Sequence, residues 1–211
     1  MKYFFTNKQI GIDKDKLLSL VGDKRIIFMN QTHSSNVYVV DKNSLDVILD
    51  CDAIISNDST LALCVVVADC NPILFYDAKK HVIGVAHAGR LGTYQSIVIK
   101  TIVKMQEVFG CAIEDLHVKI GPSIRKCCYE VGLEVVEGFF TFDKRMVKEF
   151  TCTKEGRIYL DLLSLNLEQL KSLHVKENQI EISPVCTCCN EEYFSYRRDK
   201  TKNRFCGLIT L

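Results

Sequence analysis

The chain has little net charge, few prolines and no long apolar run. Its 27 Lys and Arg against 26 Asp and Glu give a formal charge of +1, so no net field favours nucleic acid, an anionic membrane or a polycationic partner. Only 3 prolines occur in 211 residues, and no Gly/Ser-rich stretch separates two compositions. No segment repeats with a period of roughly 20–50 residues. One domain spanning residues 1–211 is therefore expected.

The apolar segments are too short to cross a membrane. The longest, LALCVVVA at Leu61–Ala68, stops at Asp69, well before the ~20 residues that a spanning helix needs. The first residues, MKYFFTNKQIGIDKDK, contain neither the apolar core nor the small-residue cleavage site of an export signal. We therefore expect a cytoplasmic protein.

Cysteine is abundant, with 11 residues in the chain. The total is odd, and a chain of this length can bury its own core, so a disulfide framework is not expected in a reducing compartment. Most of the cysteines are predicted to be small core residues, and a few are predicted to carry chemistry.

Apolar runs rich in β-branched and aromatic residues predict strands through the first half of the chain. These strands are Arg25–Met29, Asn36–Val40, Leu61–Ala68, Pro72–Asp77 and His81–His87, and Leu116–Pro122 and Phe205–Leu211 follow later.

Two segments show helical periodicity. Val98, Ile102, Met105 and Phe109 lie on one face of a predicted helix within residues 93–109, which Gly110 ends. A second helix is predicted to begin at an Asp161 N-cap and to carry Leu163, Leu167 and Leu170 on one stripe. Strands interrupted by helices without regular βαβ alternation predict an α+β fold, with mixed β-sheets flanked by helices.

Three residues with metal-ligating or nucleophilic side chains lie where predicted strands end. They are His33 in NQTHSSNV, Cys70 in VVVADCNP and His87 in VIGVAHAGRLGT. A strand end holds a residue rigidly while its side chain reaches the edge of a pocket. Two imidazoles and a thiolate are a known ligand set for catalytic zinc, and the same donors suit copper. Because the spacing matches no short metal motif, a buried thiol with two hydrogen-bonded histidines is the competing interpretation.

Two further cysteine groups lie later in the chain. The segment Cys186-Thr187-Cys188-Cys189 contains a CxxC, which suits half of a zinc site or a redox pair, but no second pair at suitable spacing is evident. Adjacent cysteines rarely bind one metal together, so Cys127 and Cys128 are interpreted as structural. A structural or local role is also favoured for the CxxC.

The densest basic run extends from Arg197 to Arg204. Such a run is usually a solvated face, yet two adjacent arginines beside Ser195 and Tyr196 can bind a phosphate bidentately. Arg197 and Arg198 are therefore the cationic candidates for an anion site.

Seven segments resemble, in order, the sequence blocks of the laccase-domain family, also called YfiH-like or peptidoglycan editing factor proteins. The segments are NQTHSSNV, DAIIS…ADCNPILFYD, HVIGVAHAG..GT, IGPSI…CYEVG, YLDL…L, the CT at Cys186-Thr187, and FSYRRD…NR. They cover residues 25–211, and their shared order is far more specific than any single block.

The resemblance implies a single laccase-type α+β domain, similar in its core to the cytotoxic-necrotising-factor deamidases, with one active site that holds zinc or copper. The family's histidine of the Q-x-H block falls on His33, its cysteine of ADC on Cys70, and its histidine of HAG on His87. The implied ligands are thus the residues that the strand ends indicated.

The resemblance also implies a range of activities. Members are described as purine nucleoside phosphorylases acting on adenosine, inosine, guanosine and methylthioadenosine, as adenosine deaminases, as laccase-type polyphenol oxidases, and as amidases that edit a cell-wall precursor. Multicopper oxidation needs many ligands in close sets, and the 5 histidines of this chain disfavour it. A single Zn²⁺ suits the other activities because it lowers the pKa of bound water toward ~7.

We therefore expect a metal-dependent purine nucleoside phosphorylase that releases free base and ribose 1-phosphate, with adenosine deamination as a further activity. His33, Cys70 and His87 are expected to bind zinc, or copper, with Cys70 and His87 as catalytic residues. Arg197 is expected to meet phosphate, and Gln31 to orient the substrate. The expected partners are a small-molecule nucleoside and phosphate, with no nucleic acid and no membrane. The oligomeric state is open between monomer and homodimer.

Alternatives stay open at several residues. Cys70 beside His87 also suits a metal-free thiolate–imidazolium nucleophile, and this pair or zinc hydroxide would serve an editing amidase. A non-catalytic metal-binding protein is the other alternative, because HAGRLGT places Arg90 and Leu91 where the family usually has tryptophan and arginine. In an active enzyme, Arg90 would instead supply the cation, one residue earlier in the chain than the arginine that Leu91 replaces. Asp69 is expected either to support the metal ligands or to close a turn.

Overall fold

The structure is a computed structural model that describes residues 1–139 and 144–211. Within these ranges the strands are β1 (Lys2–Phe5), β2 (Arg25–Met29), β3 (Val37–Val39), β4 (Val47–Ile48), β5 (Ala53–Ser56), β6 (Leu61–Val67), β7 (Asn71–Asp77), β8 (Val82–Ala88), β9 (Leu116–Ile120), β10 (Glu130–Val131), β11 (Thr151–Lys154), β12 (Arg157–Leu160), β13 (Ile180–Ile182) and β14 (Phe205–Thr210). The helices are α1 (Lys14–Val21), α2 (Arg90–Tyr94), α3 (Ile97–Phe109), α4 (Leu133–Phe139), α5 (Lys144–Phe150), α6 (Leu162–Ser172) and α7 (Tyr196–Asp199). None of these helices has the length and apolar character needed to cross a bilayer.

The strands form two large sheets and one small sheet. The five-stranded sheet has the order β1-β14-β6-β2-β4, the six-stranded sheet β13-β9-β7-β8-β5-β3, and the three-stranded sheet β10-β12-β11. Each large sheet is mixed, since β6 pairs parallel with β2 and antiparallel with β14, while β5 pairs parallel with β3 and antiparallel with β8. Mixed sheets with flanking helices confirm the predicted α+β class.

Strand β6 shows why the central strands are continuous apolar runs. Successive side chains of a strand point to opposite faces, so Leu63 and Val65 pack between the two large sheets, whereas Ala62 and Cys64 face helix α1. Both faces of this strand are buried, and a polar residue on either face would lose its contact with water.

Helices α3 and α6 cover the outer face of the six-stranded sheet. Val98, Ile102 and Met105 are buried there, as the periodicity predicted, and α3 ends at Gly110 with a left-handed φ of 65°. The layers therefore run from α1 through the two large sheets to α3 and α6. The expectation of one helix over residues 93–109 is wrong in detail, because Ser96 has a φ of 62° and separates α2 from α3.

The predicted second helix is confirmed as α6. Asp161 is its N-cap, and the Asp161 carboxylate accepts a hydrogen bond of 3.1 Å from the backbone N–H of Ser164. Leu170 is buried, and Leu163 and Leu167 pack against the same core.

All 11 cysteines lie within the described residues and are free. Only Cys51, Cys64, Cys111 and Cys206 are buried, so the expectation that most of the cysteines are core residues is wrong. Five of the others lie instead in two compact groups of metal-ligating side chains.

The directions of the strands bring three loops to the same end of the two large sheets. The parallel strands β2 and β6 finish at this end, and β7 begins there directly after β6. Strand β8 runs antiparallel to β7 and therefore finishes at the same end. The loop after β2, the β6–β7 connection and the end of β8 therefore lie side by side, and these segments carry His33, Cys70 and His87.

Candidate functional site

The structure brings His33, Cys70 and His87 together. One ligand atom from each side chain lies within 4.8 Å of the other two. The two imidazole rings meet edge to face, with centroids 4.8 Å apart and an interplanar angle of 77°. His87 is buried, Cys70 is half-buried and His33 is exposed, so the group is open to a cavity on one side.

Gly89 keeps space open beside these donors. A Cβ atom at position 89 would lie 3.1 Å from Cys70 Sγ and 3.2 Å from His33 Cδ2. Any side chain would therefore press on two of the three donors. The cradle that glycine leaves, together with two imidazoles and a thiolate, fits a single zinc or copper ion.

Asp52 fixes the orientation of His87 from behind. The carboxylate is fully buried just before β5, and its Oδ1 accepts a hydrogen bond of 2.7 Å from His87 Nδ1. The backbone N–H of His87 donates to the Asp52 carbonyl at 2.8 Å. Because Nδ1 carries the hydrogen of this bond, Nε2 is the nitrogen that is left for a ligand, as in a carboxylate–histidine–metal arrangement.

Asp52 also holds the loop that carries His33. The backbone N–H groups of Thr32 and His33 each donate to the carboxylate at 3.1 Å, and the N–H and Oγ of Ser34 donate at 2.7 and 2.8 Å. His33 adopts a left-handed φ of 61° within this loop. Burial would raise the pKa of Asp52, but its hydrogen bonds with His87 and Ser34 outweigh burial and lower that pKa to about 2.

Cys70 and His87 stabilise each other's charged forms. Burial would raise the pKa of the Cys70 thiol, but the adjacent His87 and His33 lower it to about 6. Burial would lower the pKa of His87, but the Cys70 thiolate and Asp52 raise it to about 9. Without metal, a thiolate–imidazolium pair therefore predominates between these two pH values. The same thiolate is the form that binds a metal ion.

A cavity of about 640 Å³ opens in front of the three donors, a size typical of small-molecule sites. Its lining combines apolar and aromatic surface with cations. Besides the donors, the lining residues are Met29, Gln31, Val66, Val67, Ala68, Asp69, Ile124, Tyr129, Tyr196, Arg197, Lys200 and Arg204.

Arg197 lies in this lining on a fixed support. Its Nη1 donates to the carbonyl oxygens of Glu130 at 2.8 Å and Cys128 at 3.4 Å, and its guanidinium lies 5.3 Å from the centroid of the Tyr129 ring. The carbonyls engage one end of the fork, which leaves other N–H donors of Arg197 for an anion.

Arg198, the other cationic candidate, is engaged elsewhere. Its Nη1 donates to three carbonyl oxygens, and its Nε and Nη2 bind Asp199 at 2.7 Å. It therefore fixes the turn of the chain that precedes α7. Lys200 and Arg204, from the same basic run, line the cavity beside Arg197.

Gln31 and Asp69 line the cavity, but their polar atoms also bind protein. The amide of Gln31 donates to the Val66 carbonyl at 2.8 Å and accepts from the Val66 N–H at 2.9 Å, which extends the pairing of β2 with β6. Asp69 accepts from Thr187 Oγ1 and from the Arg197 N–H, each at 2.7 Å. The Asp69 side chain thus fastens two distant segments of the cavity wall, which is neither of the two roles expected from the sequence.

Arg90 and Leu91, the two residues that depart from the family pattern, form the exposed first turn of α2. Neither belongs to the cavity lining, in which Arg197, Lys200 and Arg204 are the cations.

Asp52 is a site residue that was not predicted from the sequence. The one indication in the sequence is that Asp52 is the first residue of the DAIIS segment, which is among those that resemble the family. An acidic residue before a strand resembles an ordinary turn residue, however, and its contacts with residues 32–34 and 87 depend on the folded chain.

Comparison with known proteins gives one family and a consistent set of relatives. Residues 11–211 match the family model described as multi-copper polyphenol oxidoreductase laccase. A protein of Borreliella burgdorferi named purine nucleoside phosphorylase is 34% identical over 94% of this chain and 87% of its own length. A protein of Clostridium acetobutylicum with the same activity in its name is 38% identical over 88% of this chain and 77% of its own. The crystal structure of the hypothetical protein YfiH from Bacillus licheniformis superposes with a TM-score of 0.85 at 29% identity, and covers 93% of this chain and 78% of that one.

The Cys70 thiolate is expected to react fast in metal-free protein. In chelator-treated protein, the iodoacetamide alkylation rate of the Cys70 peptide should rise with pH around a midpoint near 6, because the pKa of Cys70 is lowered to about 6. Asp52→Asn removes a charge that keeps His87 protonated, so the midpoint should move to higher pH. Asp23→Asn, at an exposed position between α1 and β2, should leave it in place. Mass spectrometry of the peptide at each pH gives the rate, and a midpoint that stays near that of an ordinary thiol would contradict this electrostatic assignment.

Proposed function

The chain belongs to the multi-copper polyphenol oxidoreductase laccase family, and we propose that it is a metal-dependent purine nucleoside phosphorylase that acts in the cytoplasm. The relatives named purine nucleoside phosphorylase support this activity over nearly the whole chain. A reducing cytoplasm suits a site that depends on a thiolate.

One observation carries the proposal: a single cavity is lined both by the His33, Cys70 and His87 donors and by Arg197, Lys200 and Arg204. Phosphorolysis needs a dianionic phosphate and a neutral nucleoside in one site. The cations supply attraction for the phosphate, and Tyr129, Tyr196 and the apolar residues offer flat surface for a purine base.

Multicopper oxidation fits these residues poorly in spite of the family's description. Of the 5 histidines, only His33 and His87 lie in a group of potential ligands within the described residues. His117 instead stacks on Tyr76 at 4.8 Å. The residues present would hold one ion at the cavity, whereas a laccase-type centre needs several.

We assign the metal to His33, Cys70 and His87, with zinc favoured and copper accommodated by the same donors. An ion bound there would supply a Lewis acid that polarises a nitrogen or oxygen of the substrate. Asp52 holds the His87 ring in the required tautomer, and Gly89 leaves the space that the ion and the substrate need.

In the proposed reaction, phosphate replaces the purine base on C1′ of the ribose. A phosphate oxygen attacks C1′ of the ribose while the bond from C1′ to the purine nitrogen breaks and its electron pair passes to the base. The proton of the phosphate passes to the departing purine nitrogen, so the products are the neutral free base and ribose 1-phosphate. Arg197 holds the phosphate against C1′ through N–H donors not used by Glu130 and Cys128, and Gln31 borders the nucleoside.

A hydrolytic function is the second candidate, and the contact of Asp52 with His87 favours it. Asp52, His87 and Cys70 form an acid–base–nucleophile series, with 2.7 Å between the first two side chains and a Cys70 pKa lowered to about 6. Such a series suits amide cleavage in a cell-wall precursor, and a hydrolytic site also suits adenosine deamination. Both need water, and neither needs phosphate.

Product analysis distinguishes these functions. Adenosine, inosine, guanosine and methylthioadenosine are each incubated with and without phosphate, alongside a muramyl-peptide amide, and the products are identified by mass. Phosphorolysis predicts release of base only with phosphate, together with the sugar 1-phosphate. Conversion of adenosine to inosine without phosphate would establish deamination, and release of an amino acid would establish the amidase. Absence of phosphate-dependent base release from every nucleoside would overturn the proposal.

Arg197 should control the affinity for phosphate. Arg197→Gln is expected to raise KM for phosphate about 10–100-fold, because a hydrogen bond to a charged group contributes roughly 1.5–3 kcal/mol. KM for inosine should change much less. Arg157→Gln is the matched control, since Arg157 pairs with Glu130 but does not line the cavity. Steady-state kinetics with each substrate varied separately gives both constants, and equal rises in the two would argue against a phosphate contact.

A further inference from the structure

The two cysteine groups that the sequence left apart meet at the protein surface. The sulfurs of Cys127, Cys128, Cys186 and Cys189 all lie within 4.8 Å of one another. The shorter separations are 3.3 Å between Cys128 and Cys189, 3.5 Å between Cys127 and Cys186, and 3.7 Å between Cys127 and Cys189. The CxxC therefore has a second pair of cysteines beside it, which its spacing in the sequence did not predict, and the structural role expected for Cys127 and Cys128 stays a prediction.

These separations match the ligands of one tetrahedral ion. Zinc–sulfur bonds of about 2.3 Å place the corners of a tetrahedron about 3.8 Å apart, because the edge of a tetrahedron is about 1.63 times the distance from its centre to a corner. The three measured separations lie slightly below this value, and every pair of the four sulfurs lies within 4.8 Å. A disulfide would bring two sulfurs to about 2.05 Å, and a cluster with its own inorganic sulfides would hold four cysteines further apart than a single ion does.

The loop around Cys186 is also shaped for a bound thiolate. Cys186 and Cys189 have the C-x2-C spacing of structural zinc sites. The backbone N–H groups of Cys188, Cys189 and Arg125 are directed at the Cys186 sulfur, so this sulfur has hydrogen-bond donors around it in addition to the other three sulfurs. The Arg125 side chain, half-buried beside Cys127 and Cys186, adds positive charge next to the four sulfurs.

We propose that Cys127, Cys128, Cys186 and Cys189 bind a second metal ion, a structural Zn²⁺ with four thiolate ligands and no open position for substrate. Adjacent cysteines can share this ion because residues 125–128 form a turn: the N–H of Cys128 donates to the Arg125 carbonyl at 2.9 Å. Both sulfurs then face the CxxC loop from one side.

The ion would join two loops that support the cavity. Residues 125–130 and 186–190 are connected by few other bonds: the bridge between Ser123 and Cys186 and the hydrogen bond from the Thr187 N–H to the Ser123 carbonyl lie at their base. The first loop supplies Tyr129 and the carbonyls that hold Arg197. The second supplies Thr187, which binds Asp69. A zinc ion between them would hold both walls in place without touching the substrate.

Metal content of variants tests the second site, for protein purified in a thiol reductant without chelator. Wild type is expected to hold two zinc ions per chain by mass spectrometry of the metal. Cys189→Ser should lose one ion and have a lower Tm, because structural zinc contributes to folding free energy. Cys70→Ala should lose the other ion. Cys152→Ser, a half-buried free cysteine in β11 that belongs to neither group of donors, should keep both.

Spectroscopy of Cys70→Ala isolates the second site even if Cys189→Ser does not fold. X-ray absorption of its remaining zinc should show four sulfur ligands at about 2.3 Å, and replacement by Co²⁺ should give the strong sulfur-to-metal charge-transfer bands of a tetrathiolate. A Cys70→Ala protein without metal, a remaining ion with nitrogen or oxygen ligands, or disulfides among the four cysteines would each overturn the proposal. These readouts do not involve phosphorolysis, so failure of the proposed enzyme function would leave them unaffected.

Discussion

A single buried carboxylate, Asp52, organises the candidate active site. A charge without solvent contact is costly unless hydrogen bonds compensate it, and Asp52 therefore draws donors from two separate parts of the chain. One is the loop that carries His33, which donates backbone N–H groups, and the other is His87 at the end of β8. Removal of the charge would weaken the acceptor of the loop's N–H groups at residues 32–34 and leave the His87 ring without a fixed tautomer.

The same arrangement serves both chemical interpretations of the site. In a metal centre, Asp52 leaves one nitrogen of His87 for the ion, and the lowered pKa of Cys70 supplies the thiolate ligand at neutral pH. In a metal-free enzyme, the same contacts give a nucleophile and its imidazolium partner. The cations of the cavity favour an anionic co-substrate, and they give phosphorolysis its advantage over hydrolysis. The proposed tetrathiolate site would support this cavity from outside, because it would hold the loop that carries Tyr129 and the carbonyl that binds Arg197.

Strands can be predicted from the sequence where the local residue pattern agrees with burial in the fold. Strands β2, β6, β7 and β8 are apolar runs buried on both faces, so their positions could be predicted, and their ends located His33, Cys70 and His87. Strand β1 was missed because its four residues gain their stability from pairing with β14 at the far end of the chain. Asp52 and the four-cysteine group were missed for a related reason: their partners lie 18 to 62 residues away, and only the sheet topology brings them together.

The affinity of the cavity ion for Asp52→Asn protein tests the central claim most directly. The relevant ion is the one that Cys70→Ala abolishes, and competition with a chromophoric chelator measures its dissociation constant. Because partners behind metal ligands typically contribute 10–100-fold to affinity, Asp52→Asn should bind zinc at this site more weakly by about that factor, whereas Asp23→Asn, at an exposed position between α1 and β2, should equal wild type. Equal zinc affinity in Asp52→Asn and wild type would contradict the account, since His33, Cys70 and His87 would then need no organising carboxylate.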